Sequence, residues 1–147
     1  MKITLDELTI DQVVGLNAAA VADAHRKNPG CQEKHFLRDR GGLAGCIDGI
    51  FTQVSGIKGY ENGPLEKMAG LLLYRIAEKQ FFENGNKRTA LLSCRVFLGN
   101  NGHKIRVDAN TTSDLLWGFA KDQTTGKAKY FETDAIQFVY DNIFPVF

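Results

Sequence analysis

The chain has 147 residues, of which 44% are hydrophobic and 24% charged, and its formal net charge is +1. That length suits one domain with a real core, expected here over residues 1–147, and the fractions exclude a disordered or fibrous chain. A net charge near zero supplies no global field, so nucleic acid and anionic membrane are not expected partners, and any anion site has to be local.

The opening "MKITLDELTIDQ" is too acidic and too interrupted for a signal peptide. Thr9 is placed to cap a helix from Ile10 to about Lys27, with Val13, Leu16, Ala20 and Ala24 on one face, and "NPG" at residues 28–30 ends it. "RDRGGLAG", residues 38–45, reads as a flexible glycine-rich loop, and "CIDGIFTQVSG", from Cys46, as a short helix. "GYENG", residues 59–63, is a turn, and Pro64 opens the next helix, where its missing N–H is not needed. That helix runs to about Lys79, with Leu65, Met68, Ala69, Leu72, Ile76 and Ala77 on its buried face. Its apolar run "AGLLLYRIA" is far short of the roughly 20 residues that a membrane span needs. After "FFENG" a second apolar helix carries Ala90, Leu91, Cys94, Phe97 and Leu98 and stops at "GNNG". "HKIRVD", residues 103–108, alternates as one short strand. "TTSDLLWGFAKD" and "ETDAIQFVYDNI" each open on capping residues and continue at helical spacing. The fold class is mainly α, a helical bundle with at most a small β-hairpin. Cys31, Cys46 and Cys94 are odd in number and lack a CxxC spacing, which argues against a disulfide framework or zinc site and fits a reducing, cytoplasmic compartment.

Two long apolar helices joined by a short polar turn make a helical hairpin, and its turn is a surface position on a rigid scaffold, a suitable place for binding. In "ENGNKRTA", Asn86 is placed to cap the second helix, which puts Lys87, Arg88 and Thr89 at its first three positions. Gly85 permits a positive φ or the close approach of a ligand. Unpaired N–H groups, the helix dipole and two cations then converge on one spot. Cations there cost up to about 1 kcal/mol unless an anion visits them, and a phosphate chain is the natural visitor. In the alternative, Lys87 and Arg88 lie in water or pair with Glu83 and Glu78.

The same stretch, "QFFENGNKRTA" from Gln80, resembles the signature of the Fic/Doc (Fido) family, H-x-F-x-[D/E]-[G/A]-N-[G/K]-R. Phe82, Gly85, Asn86, Lys87 and Arg88 match it, and Thr89-Ala90 continue as in the Doc toxin branch. "RDRGGLAG", the helix before the motif and "FLGNNGHKIRVD" after it are similar to Doc in order and spacing. The resemblance implies the small helical Fido bundle and the transfer of AMP, or in Doc of a phosphate, to a hydroxyl on a target protein. The donor implied is ATP or another nucleoside triphosphate, with Mg2+ beside it. Gly85, Asn86, Lys87 and Arg88 would hold the phosphates, with Arg88 also offsetting charge during transfer. Lys87, where AMP-transferring members carry glycine, leans towards phosphate transfer. The implied setting is a toxin restrained in trans by an antitoxin protein, because no Ser or Thr is followed four residues on by Glu, as an internal inhibitory helix of the family would require.

Two positions depart from the pattern. The family's motif begins with a histidine that takes the proton from the target hydroxyl, and here Gln80 stands instead. An amide orients a hydroxyl but cannot act as a general base, a loss worth about two to four orders of magnitude in rate. Glutamine and histidine codons differ by one base, so an inactivating change is one step away, and a natural degenerate member kept for binding is the alternative. The usual Mg2+-binding acid is Asn84, a weaker ligand for a hard cation, with Glu83 beside it as a substitute. Of the three histidines, His25 and His103 are expected to be structural, and His35 is the one to examine as a replacement base. Arg40, Gly41 and Gly42 are expected to form the flap that positions the target, or else an ordinary helix-entry loop. Trp117, Tyr130 and Phe131 are expected in the core rather than as a stacking surface.

Overall fold

In the computed structural model, which describes residues 5–55 and 64–146, Thr9 caps the first helix, α1 (Ile10–Lys27), as its sequence demands. The Thr9 hydroxyl accepts the Gln12 N–H, and the Gln12 side-chain oxygen accepts the Thr9 N–H at 2.8 Å. The buried face is Val13, Asn17, Ala20 and Val21, while Leu16 and Ala24 are only half-buried. The stripe is therefore rotated from the expected one and carries a polar residue at its centre.

The glycine-rich stretch 38–45 is not a loop. Helix α2 (Arg40–Ser55) begins inside it, six residues before the expected start at Cys46. Asp39 explains the difference: its carboxylate accepts the Gly42 N–H at 2.8 Å, and its carbonyl accepts the Leu43 N–H at 3.0 Å. Such a cap contributes roughly 1 kcal/mol, which offsets the weak helix propensity of one glycine. Leu43, Ile47, Ile50 and Phe51 then carry the helix into the core. The turn expected at 59–63 lies outside the described residues.

Helix α3 (Pro64–Lys79) has the expected ends. Leu65, Met68, Ala69, Leu72, Ile76 and Ala77 are buried as expected, and Leu71 and Leu73 are buried too. It is the central helix, packed against α2, against α4 (Asn86–Asn100) and against α6 (Glu132–Asn142). At Gly70 the backbones of α3 and α6 nearly touch: a Cβ placed there would stand 2.6 Å from the Ile136 Cα.

Strand β1 (His103–Ile105) is shorter than the segment expected, and α5 (Ala109–Gly118) starts before its two threonines. Asp108 is the reason, since its carboxylate accepts both the Thr111 N–H at 2.9 Å and the Thr111 hydroxyl at 2.7 Å. At the head of α6 the Asp134 carboxylate reaches back to the Phe131 N–H at 2.8 Å, so Glu132 and Thr133 do not cap it. Strand β2 (Ile143–Pro145) pairs antiparallel with β1, His103 opposite Pro145 and Ile105 opposite Ile143. The architecture is a helical bundle with one small two-stranded sheet, its strands separated by α5 and α6. Among the described residues no helix is long and apolar enough to cross a membrane.

Candidate functional site

The α3–α4 hairpin turn is anchored by two apolar side chains, Phe81 and Phe82, both buried. A strand-like segment clasps it from the side. The Arg38 N–H donates to the Phe81 carbonyl at 2.8 Å, the Glu83 N–H to the Phe36 carbonyl at 2.9 Å, and Leu37 forms an isolated antiparallel bridge with Phe82. Asn84 is held at both of its oxygens. Its amide oxygen accepts the Lys34 N–H at 2.9 Å, and its carbonyl accepts from Asn17 Nδ2 at 2.8 Å. The same Asn17 nitrogen donates to the Thr89 hydroxyl at 3.0 Å, and that hydroxyl donates to the Gly85 carbonyl at 2.8 Å. One buried amide on α1 thus fastens both sides of the turn.

Gly85 takes φ 78°, the left-handed conformation its sequence position suggested, and ends the turn as the residue before the helix. Asn86 is accordingly not the cap but the first residue of α4. Its side chain instead closes the turn on Phe82, accepting the Phe82 N–H at 2.9 Å and donating to the Phe82 carbonyl at 2.8 Å. Gln80 has φ 52° and is the one non-glycine residue with positive φ among the described residues. An L-residue in that conformation is strained by roughly 1–2 kcal/mol.

The N–H groups of the first turn of α4 have no acceptors inside the helix. They open on a cleft of about 380 Å³ lined by Gln80, Glu83, Asn84, Gly85, Asn86, Lys87, Arg88 and Trp117. A larger cleft of about 830 Å³, whose walls include Tyr74, Glu78, Lys121, Lys127 and Phe131, also reaches Gln80. Gln80 is the residue the two clefts share. A separate hollow of about 440 Å³, walled by residues such as Leu8, Ile10, Ile47 and Phe51, lies away from this turn, between the start of α1 and α2.

The two cations are held differently, and neither pairs with Glu83 or Glu78. Arg88 donates to the Glu33 carboxylate and, at 3.2 Å, to the Ala20 carbonyl. Lys87 makes no ion pair among the described residues, and its ammonium sits 4.1 Å from the centre of the Trp117 ring.

The Fic/DOC family model matches residues 7–98, from the lead-in of α1 to near the end of α4. The chain belongs to the Fic/DOC family. No curated protein and no solved structure matches it. In this Fic/DOC chain the motif residues Gln80, Gly85, Asn86, Lys87 and Arg88 all line one cleft. Arg40, Gly41 and Gly42 do not: they form the first turn of α2, and none of them lines either cleft that Gln80 shares.

For a divalent cation the turn offers the exposed Glu83 and an Asn84 oxygen already accepting an N–H. Among the described residues no group of three or more His, Cys, Asp or Glu is arranged to hold a metal. These donors do not make a protein-built Mg2+ site. His35 is no replacement base in this arrangement. It lines neither cleft, its Nδ1 lies 2.7 Å from the Asn17 amide oxygen, and its ring stacks on Phe82. Because that oxygen can only accept, His35 Nδ1 carries the proton and serves to hold Asn17. His25 and His103 bond to the carbonyls of Glu33 and Asn101, the structural roles expected of them.

Sequence reasoning missed Asn17, Glu33 and Lys34. For Asn17 a signal existed, since it lies four residues from both Val13 and Val21 on an apolar face. A polar residue at such a position needs buried partners. Trp117 and Phe131, expected in the core, are 67% and 55% exposed. Trp117 does lie on a helix, α5, whereas Phe131 is the extended residue just before α6 and Tyr130 is half-buried.

Proposed function

We propose that this Fic/DOC chain is a Doc-like transferase, shaped to move phosphate or AMP from a nucleoside triphosphate to a hydroxyl on a target protein, and impaired by Gln80. One observation carries the reading. The free amides of the α4 N-terminus and a lysine with no carboxylate partner among the described residues face the same cleft as Gln80. A polyphosphate in that cleft meets backbone donors, a helix dipole and an ammonium, the combination that stabilises phosphate charge. Gly85, Asn86, Lys87 and Arg88 are the residues assigned to it. Gln80, at the border with the larger cleft, is assigned the acceptor hydroxyl, which its amide can orient but not deprotonate. The larger cleft is the side from which the target segment arrives. The setting proposed is a cytoplasmic toxin restrained in trans by an antitoxin protein.

A second reading, a Fic/DOC binding module without catalysis, is favoured by Arg88. Its guanidinium is already engaged by Glu33 and the Ala20 carbonyl.

Calorimetry with ATP tests the site first: the wild type is expected to bind, and Lys87→Met to bind more weakly. Gln80→His is then expected to transfer label from ATP onto protein in a lysate. A γ-label or an α-label tells phosphate from AMP transfer. If Gln80→His with Asn84→Asp folds, binds ATP and labels nothing, the transferase reading gives way to the binding module.

A further inference from the structure

We infer that Trp117 is a positioning residue for Lys87, holding its ammonium against the wall of the anion cleft; this rests on the phosphate reading of that cleft. The indole is 67% exposed although its chain neighbours Leu115 and Leu116 are buried, so core packing does not account for it. It lines the cleft together with the motif residues, from a different helix, and its face is occupied by the Lys87 ammonium 4.1 Å from the ring centre.

The position of Lys87 explains what this contact accomplishes. A cation in the first turn of a helix is opposed by the dipole, and Arg88 stands next to it with the same sign. Its other cationic neighbour problem is solved with a carboxylate, since Arg88 has Glu33. A carboxylate beside Lys87 would neutralise the cleft and compete with an arriving phosphate. An aromatic face does neither. It attracts the ammonium through its quadrupole, carries no net charge, and leaves N–H donors of the ammonium free for an anion on the open side. Trp117 therefore restrains a flexible four-carbon stem where a phosphate needs its charge, and removes part of the ordering entropy from the binding step.

Exposed cation–π contacts of this kind correspond to about 0.5–1 kcal/mol, so Trp117→Ala is expected to weaken binding of ATP and of inorganic tripolyphosphate about two- to five-fold. Trp117→Phe keeps a weaker π face and is expected to recover part of the loss. In a Lys87→Met background Trp117→Ala is expected to cost nothing further, because the two residues act through one ammonium. Trp117 is the single tryptophan of the chain, so its emission reports this wall alone. Without any ligand, Lys87→Met is expected to change that emission. Unchanged emission in Lys87→Met, wild-type affinity in Trp117→Ala, or losses that add in the double variant would each overturn the role of Trp117. Failure of the wild type to bind either ATP or tripolyphosphate would sink the phosphate reading itself. That result is distinct from weak binding confined to Lys87→Met.

Discussion

Replacing Asn17 should loosen both the fold and the anion cleft. Its side chain is fully buried and makes three contacts: Nδ2 to the Asn84 carbonyl at 2.8 Å and to the Thr89 hydroxyl at 3.0 Å, and Oδ1 to His35 at 2.7 Å. In Asn17→Ala the exposed His35 turns to water and contributes little. The Thr89 hydroxyl is fully buried, and the Asn84 carbonyl is partly so. At about 1–2 kcal/mol for each such group deprived of its donor, the loss is about 2–3 kcal/mol. For a chain of this size that lowers the melting temperature by roughly 5–10 °C. Urea denaturation with an unchanged m-value measures it. Asn17→Leu, which keeps the volume, should lose nearly as much, because the orphaned acceptors and not a cavity set the cost. Thr89→Val should couple to Asn17→Ala by at least about 0.5 kcal/mol in a double-mutant cycle. Tripolyphosphate affinity should fall in Asn17→Ala, since Asn84 and Thr89 bracket the loop. Stability within about 0.5 kcal/mol of wild type, or strict additivity with Thr89→Val, would refute the reasoning.

Gly70→Ala should destabilise by about 1–3 kcal/mol, despite a helix-propensity gain near 1 kcal/mol, because the new Cβ meets the Ile136 backbone; a melting temperature at or above wild type would contradict this. Burial pushes the Cys94 thiol up to about 12 and also raises that of Cys46, so a disulfide reagent at mildly alkaline pH should modify Cys31 first and reach Cys94 only after denaturant is added. The carboxyls of Asp108, Asp114 and Asp122 lie below their ordinary value of 3.8, held there by hydrogen bonds from Thr111, from Tyr130 and Lys129, and from Thr125 and Thr124. Depressed folded values mean stability that is present above the ordinary value and lost as pH falls through the folded ones, so the melting temperature should drop below about pH 4, and less steeply in Asp114→Asn.

The ends of α1, α3 and α4 were legible because each is marked locally: a Thr-x-x-Gln cap, a proline at the first position, an Asn-Gly pair after the last turn. The start of α2 was not, because three glycines in residues 38–45 outweighed a single aspartate whose effect appears only once its carboxylate is seen on the Gly42 N–H. The motif turn was legible as a cleft, yet the fate of its cations was not. Glu33 lies 55 residues before Arg88, and Asn17 lies 72 before Thr89, and no periodicity reaches that far. Helical spacing likewise assigned Trp117 a face, but whether another element covers a face is decided by the rest of the chain.

The left-handed backbone of Gln80 sets a conflict between durability and use. Glycine would relieve the strain there, and asparagine tolerates it better than most residues, so either replacement should raise the melting temperature by a small margin. Both would also shorten or remove the side chain at the border of the two clefts. A directed-evolution screen rewarding thermal tolerance alone would therefore drift towards Gly or Asn at position 80, and a parallel screen for nucleotide-dependent labelling would drift away from them.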